Sequence, residues 1–267
     1  MLLAIDAGNT RTKWALFNEL GETGPQYACL NSELGTAHFL PALPGCKHIV
    51  ISNVAGEQHA ALLTKTLSPC QLPTHWIKSS QQTAGVINRY TSPETLGTDR
   101  WAALIAAWHL KQCACVVINA GTAITIDVLN VHKNIDALNV SKNNLECLGE
   151  FMGGMILPGL DLMQRSLGIA TAQLPKTETP AHQATKDIFA KNTANAIYNG
   201  ALHAALGAIQ HMVQALNQHS KQEPQIIISG GNAHIIADAL KPYVTNQVSI
   251  VDNLVLQGLY LIDSNEK

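Results

Sequence analysis

The chain has little charge. Of its 267 residues only 13% are Asp, Glu, Lys or Arg, against roughly 25% in ordinary soluble proteins. The polar surface therefore has to come largely from Asn, Gln, Thr, Ser and His. With 17 basic and 19 acidic side chains, net charge −2, no overall positive field exists to hold a nucleic-acid backbone, and no nucleic-acid partner is expected on that ground. Disorder is excluded as well, because 46% of the residues are hydrophobic, enough to bury a sizeable core. At roughly 150 residues per domain the length corresponds to about two domains.

Long unbroken apolar runs are missing too. The longest stretch without Asp, Glu, Lys or Arg, residues 192–220, is interrupted by Asn195, Asn199, His203, Gln210, His211, Gln214 and Gln218. Within it Ile197, Leu202, Leu206, Ile209, Val213 and Leu216 recur at helical spacing, which describes an amphipathic helix packed on protein rather than a membrane span. The start, Leu2-Leu3-Ala4-Ile5-Asp6, offers neither a basic leader nor a cleavage site, so no membrane and a cytoplasmic location are expected. The six cysteines are scattered and lack paired metal-ligand spacing, so reduced structural thiols are expected, including Cys113 and Cys115 at the head of an apolar strand.

Several catalytic motifs are absent: there is no GxxxxGK phosphate loop, no GxGxxG dinucleotide turn, no GxSxG elbow and no HExxH zinc helix. What is present is a motif that occurs twice. Leu3-Ala4-Ile5-Asp6-Ala7-Gly8-Asn9-Thr10 and Val117-Ile118-Asn119-Ala120-Gly121-Thr122-Ala123 each give an apolar strand, a polar residue, Ala-Gly and a small hydroxyl-bearing turn. Each is followed by a second strand-like run, residues 12–17 and 124–129, so two hairpins are expected to open two α/β domains that meet near residues 111–115. Between them, 48–53 reads as a strand, 57–67 as a helix, 74–78 as a short strand and 99–112 as a helix. Further on, 151–159 is glycine-rich, 160–167 helical and 173–180 a loop. Residues 225–229 read as a buried strand meeting Gly230-Gly231-Asn232, and 233–240 as a helix stopped by Pro242.

The first hairpin tip carries the strongest chemistry. Gly8 lets a ligand approach the backbone, amide hydrogens with the Asn9, Thr10 and Thr12 side chains can donate to phosphate oxygens, and Lys13 adds positive charge. Asp6 at the strand end could hold a hydrated magnesium ion. An ordinary Asn-rich hairpin with a capping Asp is the alternative for this octet. The second tip, 119–122, argues for a duplicated phosphate clamp about a cleft. Gly230-Gly231-Asn232 either lets backbone approach an adenine or ribose or is simply a turn.

Together these segments resemble the type III pantothenate kinases, of the superfamily of acetate and sugar kinases, Hsp70 and actin. The resemblance rests on Asp6-x-Gly8-Asn9-Thr10, Gly97-Thr98-Asp99-Arg100, Gly121-Thr122-Ala123-x-Thr125-x-Asp127, Gly153-Gly154-x-Ile156-x-Pro158-Gly159, Thr171-Ala172-x-Leu174-Pro175 and Ser229-Gly230-Gly231, in this order over essentially the whole chain. It implies two duplicated ribonuclease-H-like (actin-like ATPase) domains, 1–112 and 113–267, with ATP and Mg2+ between them. It also implies ATP-dependent phosphorylation of the primary hydroxyl of pantothenate to 4'-phosphopantothenate, the first step of coenzyme A synthesis, by a homodimer.

The resemblance puts Asp6, Ala7, Gly8, Asn9, Thr10, Arg11, Thr12, Lys13 and Thr122 around ATP, and Tyr90, Gly97, Thr98, Asp99, Arg100 and Thr193 around pantothenate. Asp99 is similar to the family's general base and Arg100 to its substrate anchor. Read from the residues alone, Asp99 could be the N-cap of the following helix, Tyr90 a half-buried aromatic, and Thr193 a helix cap. Metal ligation falls to Asp6 and to Asn119, where the family usually has an Asp similar to the ligand of an activating potassium or ammonium ion. Asn keeps the carbonyl oxygen and loses the charge, so weakened affinity for that cation, or independence from it, is expected. A non-catalytic or regulatory relative, like the accessory factors for gene expression in the family, is the alternative, and a sugar or acetate kinase on the same fold a third reading.

Overall fold

The computed structural model describes residues 1–133, 147–170, 188–221 and 223–265. The Thr171-Ala172-x-Leu174-Pro175 motif and the loop expected over 173–180 lie outside the described residues. Two compact units are present: residues 1–112, 131–152 and 253–267 form one, and 113–130 with 153–252 the other.

The first unit opens with β1 (Leu2–Ala7), β2 (Arg11–Phe17) and β3 (Thr23–Leu30), followed by β4 (His48–Asn53), α1 (Glu57–Leu67), β5 (Thr74–Trp76), β6 (Gln82–Thr83), β7 (Val86–Asn88) and α2 (Thr98–Lys111). Its mixed sheet runs β3-β2-β1-β4-β5. β1 pairs antiparallel with β2 and parallel with β4, so β1 is central and covered on both faces, which is why Leu2, Leu3, Ala4 and Ile5 are all apolar. Leu3, Ile5 and Ala7 point to one face, where they pack with Trp14, Phe39, Ile49, Ile51 and Leu63.

β8 (Cys115–Ala120) and β9 (Ala123–Lys133) repeat the opening hairpin, and β10 (Cys147–Pro158) and α3 (Leu160–Ala170) follow. The chain passes between the units inside β9 and β10. The remaining elements are α4 (Thr193–Ser220), β11 (Gln225–Ser229), α5 (Ala233–Leu240), β12 (Val248–Ile250) and α6 (Leu254–Asn265). In the second unit β8 pairs antiparallel with β9 and parallel with β11, which pairs parallel with β12. This is the β1, β2, β4, β5 arrangement over again. Leu202, Leu206, Ile209, Val213 and Leu216 of α4 are buried in that core with Val116, Ile118, Ile226 and Ile228, the face expected from their spacing, and Ile197 is buried as well. Each fully buried side chain of this size contributes roughly 1.5–3 kcal/mol. Among the described residues no helix is long and apolar enough to cross a membrane.

α6 packs with the first unit. Gly258 lies so close to α2 that a Cβ there would meet the Ala102 backbone, Tyr260 stacks on Phe17 with centroids 5.3 Å apart, and His48 Nε2 pairs with Asp263 Oδ2 at 2.9 Å. The glycine-rich stretch 151–159, given no regular structure from sequence, is mostly strand: β10 runs through to Pro158, with Gly153 at φ +129° supplying a conformation other residues rarely adopt.

Candidate active site

The site in the first unit is built from strand ends. Asp6 is the penultimate residue of β1, directly opposite Lys13 of β2 and beside Ser52 of β4. The Ser52 hydroxyl is hydrogen-bonded to that of Thr98 at 2.8 Å, and this ties the start of α2 to the same sheet edge. Gly97 precedes the helix and packs near Val54, whose N–H donates to the Ala7 carbonyl. The long-range pairing of β1 with β4 thus brings two separate motifs, 6–13 and 97–100, to one place.

Asp99 does not cap α2. The helix starts at Thr98 with Gly97 in the capping position, and Asp99 Oδ1 accepts the Arg100 N–H at 2.8 Å. Burial pushes the Asp99 carboxyl above its ordinary value, opposed by that hydrogen bond and by the Arg100 charge. Asp6 is pushed up to about 7, first by burial, then by the negative charge of Asp99, with Lys13 pulling the other way. Among the described residues Asp6 Oδ1 is buried without a hydrogen-bond partner. A lone buried carboxylate oxygen beside a second carboxylate is costly as it stands, and a hydrated divalent cation would relieve it, so the donor chemistry fits Mg2+. No group of three or more His, Cys, Asp or Glu able to hold a metal occurs among the described residues, so such an ion would keep most of its water or be shared with phosphate oxygens.

Arg100 is buried, and three aromatic contacts fix its head. Its Nη1 donates to the Tyr90 hydroxyl at 2.9 Å, and its guanidinium carbon lies 5.6 Å from the Tyr90 ring centroid and 5.9 Å from that of Phe151. Tyr90 is held in turn by Phe151, ring to ring at 5.1 Å, and by buried Asn88, whose Oδ1 accepts the Tyr90 N–H at 3.0 Å. Phe151, Asn88 and Ser52 are site residues that sequence reasoning missed. No local motif marks them, because β10 reaches β7 only through a long-range parallel pairing.

At the first hairpin tip Gly8 N–H donates to the Arg11 carbonyl at 3.1 Å, and a Cβ on Gly8 would press on that oxygen at 3.2 Å. Asn9, Thr10 and Arg11 are exposed. Thr12, expected from sequence to offer its side chain to phosphate, is fully buried and its hydroxyl is engaged by Asn31 Oδ1 and His59 Nε2, both at 2.9 Å. The strand alternation turns it to the core face, opposite to Lys13.

Asn119, Thr122 and Thr193 belong to the second unit. Asn119 is the penultimate residue of β8 and lies against Gly230, which has a φ of +100° that favours glycine and where a Cβ would lie 2.6 Å from the Ala120 carbonyl oxygen and 2.8 Å from Asn119 Oδ1. Gly230 is thus packed closely on Asn119 and Ala120, whereas a Cβ on Gly231 would meet nothing within 4 Å. Thr122 is exposed and its carbonyl accepts Gly159 N–H at 2.9 Å. Thr193 is the exposed first residue of α4. The cap is Asn192, whose side chain accepts the Asn195 N–H at 2.8 Å, so Thr193 is free of the capping role.

The repeated mixed sheet is the ribonuclease-H-like architecture of the actin-like ATPases and sugar kinases. A glucokinase from an Antarctic psychrotroph superposes with TM-score 0.50 at 13% identity, covering 98% of this chain and 98% of that one. The activator of the 2-hydroxyisocaproyl-CoA dehydratase from Clostridium difficile, solved with bound ADPNP, gives 0.52 at 10% identity, covering 99% and 95%. At these identities the likeness concerns the fold alone. Residues 2–137 and 142–215 match the family model of type III pantothenate kinase. The type III pantothenate kinase of Nitrosomonas eutropha is 39% identical over 271 residues, covering 98% of this chain and 93% of that protein. The chain belongs to the type III pantothenate kinases.

Proposed function

We propose that the protein transfers the γ-phosphoryl group of ATP to the primary hydroxyl of pantothenate, giving 4'-phosphopantothenate and ADP at the entry to coenzyme A synthesis. The observation that carries this reading is the pairing of Asp6 and Asp99 at one sheet edge, with Arg100 clamped beside them. Phosphoryl transfer is largely positioning and electrostatics. Asp99 orients the hydroxyl and accepts its proton as the new O–P bond forms and the bond to the ADP oxygen breaks; its raised proton affinity suits that late step. Arg100, set by Tyr90 and Phe151, anchors pantothenate, with Gly97, Thr98 and Thr193 as further contacts.

The 6–13 turn, with Lys13, and Thr122 are the proposed ATP phosphate contacts, Thr12 acting through the shape of the turn. Asp6 would hold Mg2+, which when bound neutralises phosphate charge. The Asn119 carbonyl oxygen is the proposed ligand of a monovalent cation, K+ or NH4+, at reduced affinity. A homodimer and a cytoplasmic setting complete the proposal. Retention of Asp6, Asp99 and Arg100 argues against a non-catalytic role. Purified protein with ATP, Mg2+ and pantothenate is expected to form phosphopantothenate; absence of product at both low and high potassium would refute the reading.

A further inference from the structure

Asn31, in the short helical turn after β3, touches the first hairpin tip at three points. Its Nδ2 donates to the Gly8 carbonyl at 2.8 Å, its N–H donates to the Thr10 carbonyl at 3.0 Å, and its Oδ1 accepts the Thr12 hydroxyl hydrogen at 2.9 Å. Since that hydroxyl spends its one hydrogen on Asn31, the 2.9 Å contact to His59 Nε2 requires His59 to be the donor. His59 is buried, and burial lowers its proton affinity, which favours a neutral ring carrying its hydrogen on Nε2. The chain of bonds from His59 through Thr12 to Asn31 has one consistent direction.

The consequence falls on the backbone. A trans peptide points its N–H opposite to its C=O. With the Gly8 carbonyl drawn to Asn31, the Asn9 N–H is turned to the other, open side of the tip, and the Thr10 carbonyl is prevented from rotating into that space.

We infer that Asn31, locked by Thr12 and His59, is a positioning residue for the nucleotide: it aims the Asn9 main-chain donor at an ATP phosphate and keeps a carbonyl oxygen from facing that anion. This rests on the kinase reading above. Asn31 does not itself touch the nucleotide, and its effect is selective for ATP because the bonds it makes all end on the 8–12 turn.

The test is steady-state kinetics on full-length protein with both substrates varied, alongside thermal unfolding. Asn31→Ala is expected to raise KM for ATP about tenfold, the equivalent of one neutral hydrogen bond's worth of positioning, with KM for pantothenate within about twofold of wild type. Thr12→Val is expected to do the same, Thr12→Ser to recover most of the loss, and the Asn31→Ala/Thr12→Val double variant to be no worse than the poorer single one. An unchanged KM for ATP in Asn31→Ala, equal rises in both KM values, or a collapsed unfolding midpoint without a selective ATP effect would each overturn the inference. Wild-type protein that fails to phosphorylate pantothenate at all would instead remove the reading on which it rests.

Discussion

Arg100 uses Tyr90 twice, donating to its hydroxyl at 2.9 Å while the guanidinium carbon lies 5.6 Å from the same ring's centroid. A buried arginine held by that hydrogen bond and by the Tyr90 and Phe151 rings has its direction fixed before substrate arrives, which removes an ordering cost from binding.

Tyr90→Phe separates the two contacts, since it keeps the ring and deletes the acceptor. KM for pantothenate is expected to rise about threefold to tenfold, with KM for ATP unchanged. Initial-rate kinetics with each substrate varied decides it, and an equal rise in both constants would remove Tyr90 from the pantothenate side.

Asp6 makes stability pH-dependent in an unusual direction. Folded Asp6 holds its proton up to about 7 against an ordinary 3.8, so between those values the folded chain binds more protons than the unfolded one. Unfolding free energy then falls as pH rises through this window. Asp6→Asn removes the penalty and is expected to be more stable than wild type at pH 8, by on the order of 1–4 kcal/mol, while losing activity. At pH 4 the difference should nearly vanish. Urea unfolding of both proteins at the two pH values, without nucleotide or metal, checks this; a wild type equal to the variant at pH 8 would contradict it.

Asn119 sits against Gly230 with its side-chain oxygen in place and no charge. Restoring the carboxylate by Asn119→Asp is expected to lower the half-saturating potassium concentration about tenfold, because a formal charge strengthens an oxygen ligand for a cation. Rate measured against potassium is the readout. Identical titrations of the two proteins would show that Asn119 contacts no cation.

Legibility in the sequence followed the range of the interactions. The β1–β2 hairpin, α1, α4 and α5 were readable because apolar spacing, Gly8 and Pro242 are local signals. β3 was not: six of its residues in a row are exposed, among the described residues it pairs only with β2, and Pro25 lies within it. α6 carries none of the motif residues, and its partner α2 is distant in the chain. The same holds at the site. Asp6, Asp99 and Arg100 stood in motifs, whereas Phe151, Asn88 and Asn31 act only through contacts that β10 with β7, or β2 with β3, bring about. Thr12 shows the opposite error: its residue type suits phosphate, and only its place on the buried face of β2 reveals that its hydroxyl points inward.

The central claim is that Asp99 orients and deprotonates the hydroxyl that attacks ATP. The direct measurement is the turnover number of Asp99→Asn beside wild type, with saturating ATP, Mg2+, potassium and pantothenate, and ATP affinity measured separately by titration. The account predicts a fall in kcat of about 10²–10⁴-fold with ATP affinity retained. Wild-type turnover in Asp99→Asn would contradict it.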